Sequence, residues 1–192
     1  VITNLAAGVR AFTSNAFLVT GETTALVDSG ANFDVVARIR EQIDTLDRVY
    51  ITHTHPDHVD NVPDVRTAFD VETWGYDPDH DLVDNAVADG DLVQIGDHDY
   101  EALHTPGHKS DHLCFHSEVS GVCFAGDLVF ANGGVGRTDL PGGDFEALVA
   151  SVDRLRAAVG DDLAALHVGH GPSATDAPLD DIEMAARSVR SR

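Results

Sequence analysis

Lysine is almost missing from this chain. Lys109 is the only one, and basic residues total 12 against 33 acidic ones, for a formal net charge of -21 over 192 residues. A surface of that sign repels phosphate backbones and anionic membranes, so neither nucleic acid nor a membrane is an expected partner. The acidic charge is spread through the whole sequence rather than gathered in a tail. It suits concentrated salt, where the Debye length falls to about 3 Å at 1 M and self-repulsion is screened; a salt-loving (halophilic) source is expected. Cysteine occurs only twice, as Cys114 and Cys123. A hairpin turning at Glu118-Val119 would set the two opposite each other, but two buried thiols in a reducing compartment are expected rather than a disulfide. No run of about 18 apolar residues is present, nor a charged-then-apolar leader, and a soluble, cytoplasmic protein is expected.

What is present fits one domain over residues 1–192: 43% of residues are hydrophobic, too many and too regularly spaced for a disordered acidic chain. Apolar runs predict strands at 16–19, 25–27, 49–51, 71–74, 92–95, 100–103, 113–115, 122–124 and 163–168. Phe33, Val36, Ile39 and Ile43 keep a helical spacing and predict a helix over 33–43. Asp144 reads as the N-cap of a helix with Phe145, Leu148, Val149, Val152, Leu155 and Val159 inward, and 181–189 as a closing helix. The Asp-rich stretch 77–91 lacks EF-hand spacing and reads as a solvated loop with a short helix. Strands in groups with helices between them point to an α+β fold of two sheets with helices outside.

The chemistry concentrates in Thr52-His53-Thr54-His55-Pro56-Asp57-His58. Strand residues two apart face the same way, so His53 and His55 can offer two imidazoles to one metal, while the turn at Pro56 aims Asp57 and His58 elsewhere. Histidine with carboxylate, rather than cysteine, is the make-up of an open catalytic metal site. Three further candidate ligands end apolar runs: His108, Asp127 and His170. Sorted by charge and geometry, His53, His55 and His108 surround one metal and Asp57, His58 and His170 the other, with Asp127 as the bridge.

These motifs, with Val27-Asp28-Ser29-Gly30, Gly126-Asp127 and Gly169-His170-Gly171 in the same order, resemble the metallo-β-lactamase-fold hydrolase superfamily over residues 28–171. Asp127-Leu128-Val129-Phe130, Gly136-Arg137-Thr138-Asp139 and Gly169-His170-Gly171-Pro172 are similar to short glyoxalase II (hydroxyacylglutathione hydrolase)-like enzymes. The resemblance implies a four-layer αββα sandwich and two divalent metal ions, zinc by default with iron or manganese as options. It implies a thioesterase that cleaves a 2-hydroxyacyl thioester of a small thiol by a metal-bridging hydroxide, with Asp57 orienting the hydroxide. Asp28 would brace the histidine loop, and His112 would support the ligands from behind. Arg137 has two readings: a salt bridge to a neighbouring acid, or a planar fork for a substrate carboxylate. Long members of the family grip glutathione with an extra helical domain, whereas 22 residues follow His170 here, which leaves the thiol carrier open. Gly136-Arg137-Thr138-Asp139 also resembles persulfide dioxygenases, so a mononuclear iron oxidoreductase is the alternative. His80, His98, His104, His116 and His167 match no motif and are expected at the surface or at strand ends.

Overall fold

The computed structural model describes residues 1–191. They fall into two compact units, residues 1–87 with 94–99, and residues 88–93 with those from 100 onward. The first unit holds strands β1 (Ile2–Asn4), β2 (Phe17–Val19), β3 (Ala25–Val27), β4 (Arg48–Tyr50), β5 (Thr73–Gly75) and β6 (Asn85–Ala86), hydrogen-bonded in that order into one sheet. β1 to β3 are antiparallel, and β3 to β6 run parallel. Parallel neighbours need a crossover. Helix α1 (Val35–Arg40) supplies it between β3 and β4, and helices α2 (Pro56–Val59) and α3 (Val62–Phe69) between β4 and β5. β2 and β3 are buried at every position, which is why they read as unbroken apolar runs.

Asp34 caps α1 by accepting from Ala37 N at 2.8 Å, and Val35 and Ile39, one turn apart, pack with Leu18, Leu26 and Val49. The helix is shorter than the 33–43 predicted. Gln42 N bonds back to Ile39 O, tightening the chain into a turn. Helices α2 and α3 follow from sequence signals that hydrophobic periodicity alone did not expose: each carries a proline in its first turn, where a missing N–H costs nothing. Among the described residues, 77–91 contain no helix, contrary to expectation. Asp77 accepts from Asp79 N, a local turn that competes with helix, and Asn85–Ala86 joins the sheet instead.

The second unit is built on β7 (Leu92–Ile95), β8 (His98–His104), β9 (Leu113–Ser117), β10 (Val122–Phe124) and, after a short ribbon of β11 (Val129–Phe130) and β12 (Gly134–Val135), β13 (Ala165–His167). Its sheet order is β13-β10-β9-β8-β7, and the division between units falls within the β7 and β8 strands. β10 and β13 are parallel, joined through helix α4 (Phe145–Ala158); helix α5 (Pro178–Arg190) follows. Asp144 caps α4 by accepting from Ala147 N at 3.0 Å. Leu148, Val152 and Leu155 are buried with Leu166, Val168, Ile182 and Ala185, while Phe145, expected inward, is 36% exposed at the helix start.

The β9 to β10 register sets Cys123 across from His116, so Cys114, two residues earlier on β9, is not its direct partner. Both thiols are free and buried, and burial pushes the Cys114 thiol up to about 12. His116, expected at the surface or at a strand end, is buried on β9, where desolvation lowers its pKa.

Candidate metal centre

The first unit places four candidate ligands just past the carboxyl end of β4. The chain leaves the strand at Tyr50, bends at Thr52 and reaches His55 at the N-cap position of α2, so Asp57 and His58 lie in that one-turn helix. His53 and His58 are fully buried, and Asp57 keeps 17% of its side chain exposed. Rings of His53 and His58 are 4.0 Å apart between centroids, and His58 Nε2 stands 3.9 Å from Asp57 Oδ2.

One buried carboxylate wires this cluster. Asp28, at the end of β3 with φ of 57°, accepts from Thr52 N at 2.8 Å, from Thr52 Oγ1 at 2.7 Å, and from His58 Nδ1 at 2.8 Å. The Thr52 hydroxyl spends its proton on Asp28, so at 3.1 Å from His53 Nδ1 it acts as acceptor. Both His53 and His58 therefore carry their protons on Nδ1, and Nε2 presents a lone pair. A carboxylate behind a histidine in this way is the common support of a metal ligand.

His53 Nε2 and His55 Nδ1 face each other at 3.1 Å. Two nitrogens on one tetrahedral ion, each at about 2.0–2.1 Å, would stand roughly 3.3 Å apart. The residues present therefore fit a shared cation.

The second unit gathers its three candidate ligands from three separate loops. His108 lies between β8 and β9, Asp127 follows β10, and His170 follows β13. Asp127 Oδ2 is 3.5 Å from both His108 Nε2 and His170 Nε2. His108 Nδ1 donates to Arg137 O at 2.7 Å, which again leaves Nε2 with the lone pair. Gly169 N donates to Gly126 O at 2.6 Å, tying the Asp127 and His170 turns together at the ends of two parallel strands. A Cβ at Gly136 would strike the Asp127 carbonyl and the His108 ring, so this close approach admits only glycine.

His112 stands behind this cluster. Its Nε2 accepts from Asp127 N at 3.0 Å, so Nδ1 carries the proton and donates to Thr105 Oγ1 at 2.8 Å. Arg137 forms a two-point pair with Asp139 at 2.7 and 2.6 Å, both side chains well exposed. That pair holds the Asp139 carboxyl down to about 2.

Sequence reasoning missed Thr52, Thr105 and His167. Thr52 and Thr105 act only through neighbours that the fold brings near. His167 donates to or accepts from Ser173 Oγ at 2.8 Å and stacks on Phe124, closing the loop that carries His170. Burial lowers its pKa to about 4.

The sequence model of the metallo-beta-lactamase superfamily matches residues 9–170. The chain belongs to that superfamily, with its mixed α/β sandwich fold, and is a metal-dependent hydrolase whose residues are those of a dinuclear metal site. Among its relatives, hydroxyacylglutathione hydrolase GloC of Haemophilus influenzae is 29% identical, over 87% of this chain and 90% of the relative. A hydroxyacylglutathione hydrolase of Cereibacter sphaeroides is 40% identical over 62% of this chain. The match covers 49% of that relative's length, and about half of a comparable enzyme from Tolumonas auensis, at 53%. Among solved structures, TTHA1623 in a di-iron-bound form superposes with a TM-score of 0.77 at 28% identity, covering 97% of each chain. No helix among the described residues is long and apolar enough to cross a membrane.

Proposed function

We propose that this protein is a glyoxalase II-like thioesterase that cleaves the 2-hydroxyacyl thioester of a small thiol in the cytoplasm. In this reading His53, His55 and His108 hold one metal ion, Asp57, His58 and His170 hold the other, and Asp127 serves both. The observation that carries it is the proton placement: Asp28, Thr52 and the Arg137 carbonyl fix His53, His58 and His108 with their Nε2 lone pairs outward. The likeness to the hydroxyacylglutathione hydrolase GloC, over 90% of that relative's length, supports the thioester. The di-iron form of TTHA1623 supports two ions and admits iron as well as zinc.

When bound, two such ions polarise a carbonyl and make water a nucleophile near neutral pH. The chain's own part is positional. Asp57, the most exposed carboxylate of the set, orients the attacking water by accepting its hydrogen. Asp127, held through its own N–H by His112, keeps its carboxylate fixed during the reaction. No serine or cysteine nucleophile is needed, and both cysteines are buried with raised pKa values.

The test is metal content and turnover in protein purified without added metal. Two ions per chain with hydrolysis of lactoyl thioesters is the expected result. One iron per chain, with oxygen consumed on a persulfide substrate, would replace the reading with the dioxygenase alternative.

A further inference from the structure

We propose that Ser151 is a positioning residue for His108, acting through the turn that delivers it; the proposal rests on reading His108 as a metal ligand. Helix α4 and its N-cap present Asp144, Leu148, Ser151 and Arg154 along one face, three or four residues apart. That face meets the segment 104–107, which leads into His108, in reverse order. Asp144 N donates to Gly107 O at 2.8 Å. Ser151 Oγ donates to Pro106 O at 2.6 Å, and Arg154 donates to His104 O at 2.9 Å. One helix thus holds three carbonyls in four residues.

The contact is as close as backbone allows. Gly107 has φ of 135°, and a Cβ there would run into the Leu148 backbone. Only glycine suits that conformation.

Ser151 is out of place by composition. It is 3% exposed in mid-helix, the one polar side chain among the helix's buried residues Leu148, Val152 and Leu155. Serine is a poorer helix former than alanine, and a buried hydroxyl costs free energy unless it is bonded. The bond it makes is to Pro106, two residues before His108. Ring and turn are then fixed by separate bonds, the ring at Nδ1 by Arg137 O and the turn at Pro106 by Ser151. Without the Ser151 bond the segment loses its middle anchor, and the turn that sets the His108 backbone is held only at His104 and Gly107.

The experiment compares Ser151→Ala, Ser151→Thr and Leu155→Ala with the unmodified protein, each loaded with Zn2+. Release of Zn2+ to an excess of chromophoric chelator is followed by stopped flow, alongside thermal melting. Wild-type zinc content is measured first. Ser151→Ala is expected to speed release of one of two ions by about three- to tenfold, below or at the low end of what loss of a direct ligand support costs. Ser151→Thr, which keeps the hydroxyl, is expected to release within about twofold of wild type. Leu155→Ala opens a cavity in the same helix without touching the turn, so it lowers the melting temperature while both release rates hold. Wild-type release from Ser151→Ala, or equal acceleration by Leu155→Ala, overturns the positioning role. A wild-type protein that takes up fewer than two ions counts against the dinuclear reading and removes the proposal with it.

Discussion

The two units supply their candidate ligands in opposite styles. In the first, four donors lie within His53 to His58 and one carboxylate, Asp28, sets the protons on two of them. In the second, three donors come from loops up to 62 residues apart, His108 to His170, and each is held by a different bond: Arg137 O on His108, His112 on Asp127, Gly126 O on the His170 turn. A contiguous cluster concentrates its support in a hub. A dispersed one distributes support over the backbone, and its precision depends on how the strands and α4 are packed. Damage should therefore be all-or-none in the first unit and graded in the second.

Ligand removal is the bluntest probe of that contrast. His55→Ala and His108→Ala should both reduce hydrolysis to background while circular dichroism stays native, because neither side chain belongs to a hydrophobic cluster. Asp127→Ala should lower the content of both ions together. Loss of one ion only would assign Asp127 to a single metal.

The supports separate the styles more finely. Asp28→Ala deprives three buried donors of one acceptor, and should cost about 2–4 kcal/mol of stability and about 10–100-fold in metal affinity. His112→Ala removes a single support of Asp127 and should cost about half as much in urea unfolding. Equal costs would mean that the first unit has no hub.

Acid should act on the dispersed half through His167. Its pKa falls from the usual 6.5 to about 4 because burial disfavours the charged ring. The unfolded chain binds this proton first, so the contribution is intact above pH 6.5, declines as pH falls through that value and is gone near pH 4. The shift corresponds to about 3 kcal/mol. His167→Gln should flatten the pH dependence of unfolding across that window, and a curve parallel to wild type would show that His167 is accessible to water.

The smallest effect is expected at Arg137→Ala. Its fork is already engaged by Asp139 in an exposed pair, so KM for charged and uncharged thioesters should move together, by less than about twofold. Asp139 should return from about 2 toward the ordinary carboxylate range in an NMR titration. A selective rise in KM for the anionic substrate would revive the fork.

The same contrast explains what the sequence disclosed. Strands such as 25–27 and 122–124 appear where their apolar runs stand, since buried strands need no alternation; 92–95 appears too, with Val93 and Ile95 inward and Leu92 exposed. The cluster at His53 to His58 is visible because its donors are neighbours in the chain. Cross-chain supports are not visible: nothing local distinguishes Thr52 or Ser151 from other small polar residues until β3 and the 104–107 segment come alongside. The helix expected within 77–91 failed for the reverse reason, because local aspartate bonding outweighed any helical pattern.

Lys109 sits next to His108, its ammonium 3.0 Å from both oxygens of Asp111. As the only lysine, it is the one side-chain amine open to acylating reagents. Held against a buried carboxylate, it should label slowly. A fluorophore attached there would sit one residue from His108, at a unique address that needs no engineered cysteine, and its reaction rate would report on how tightly that turn is held.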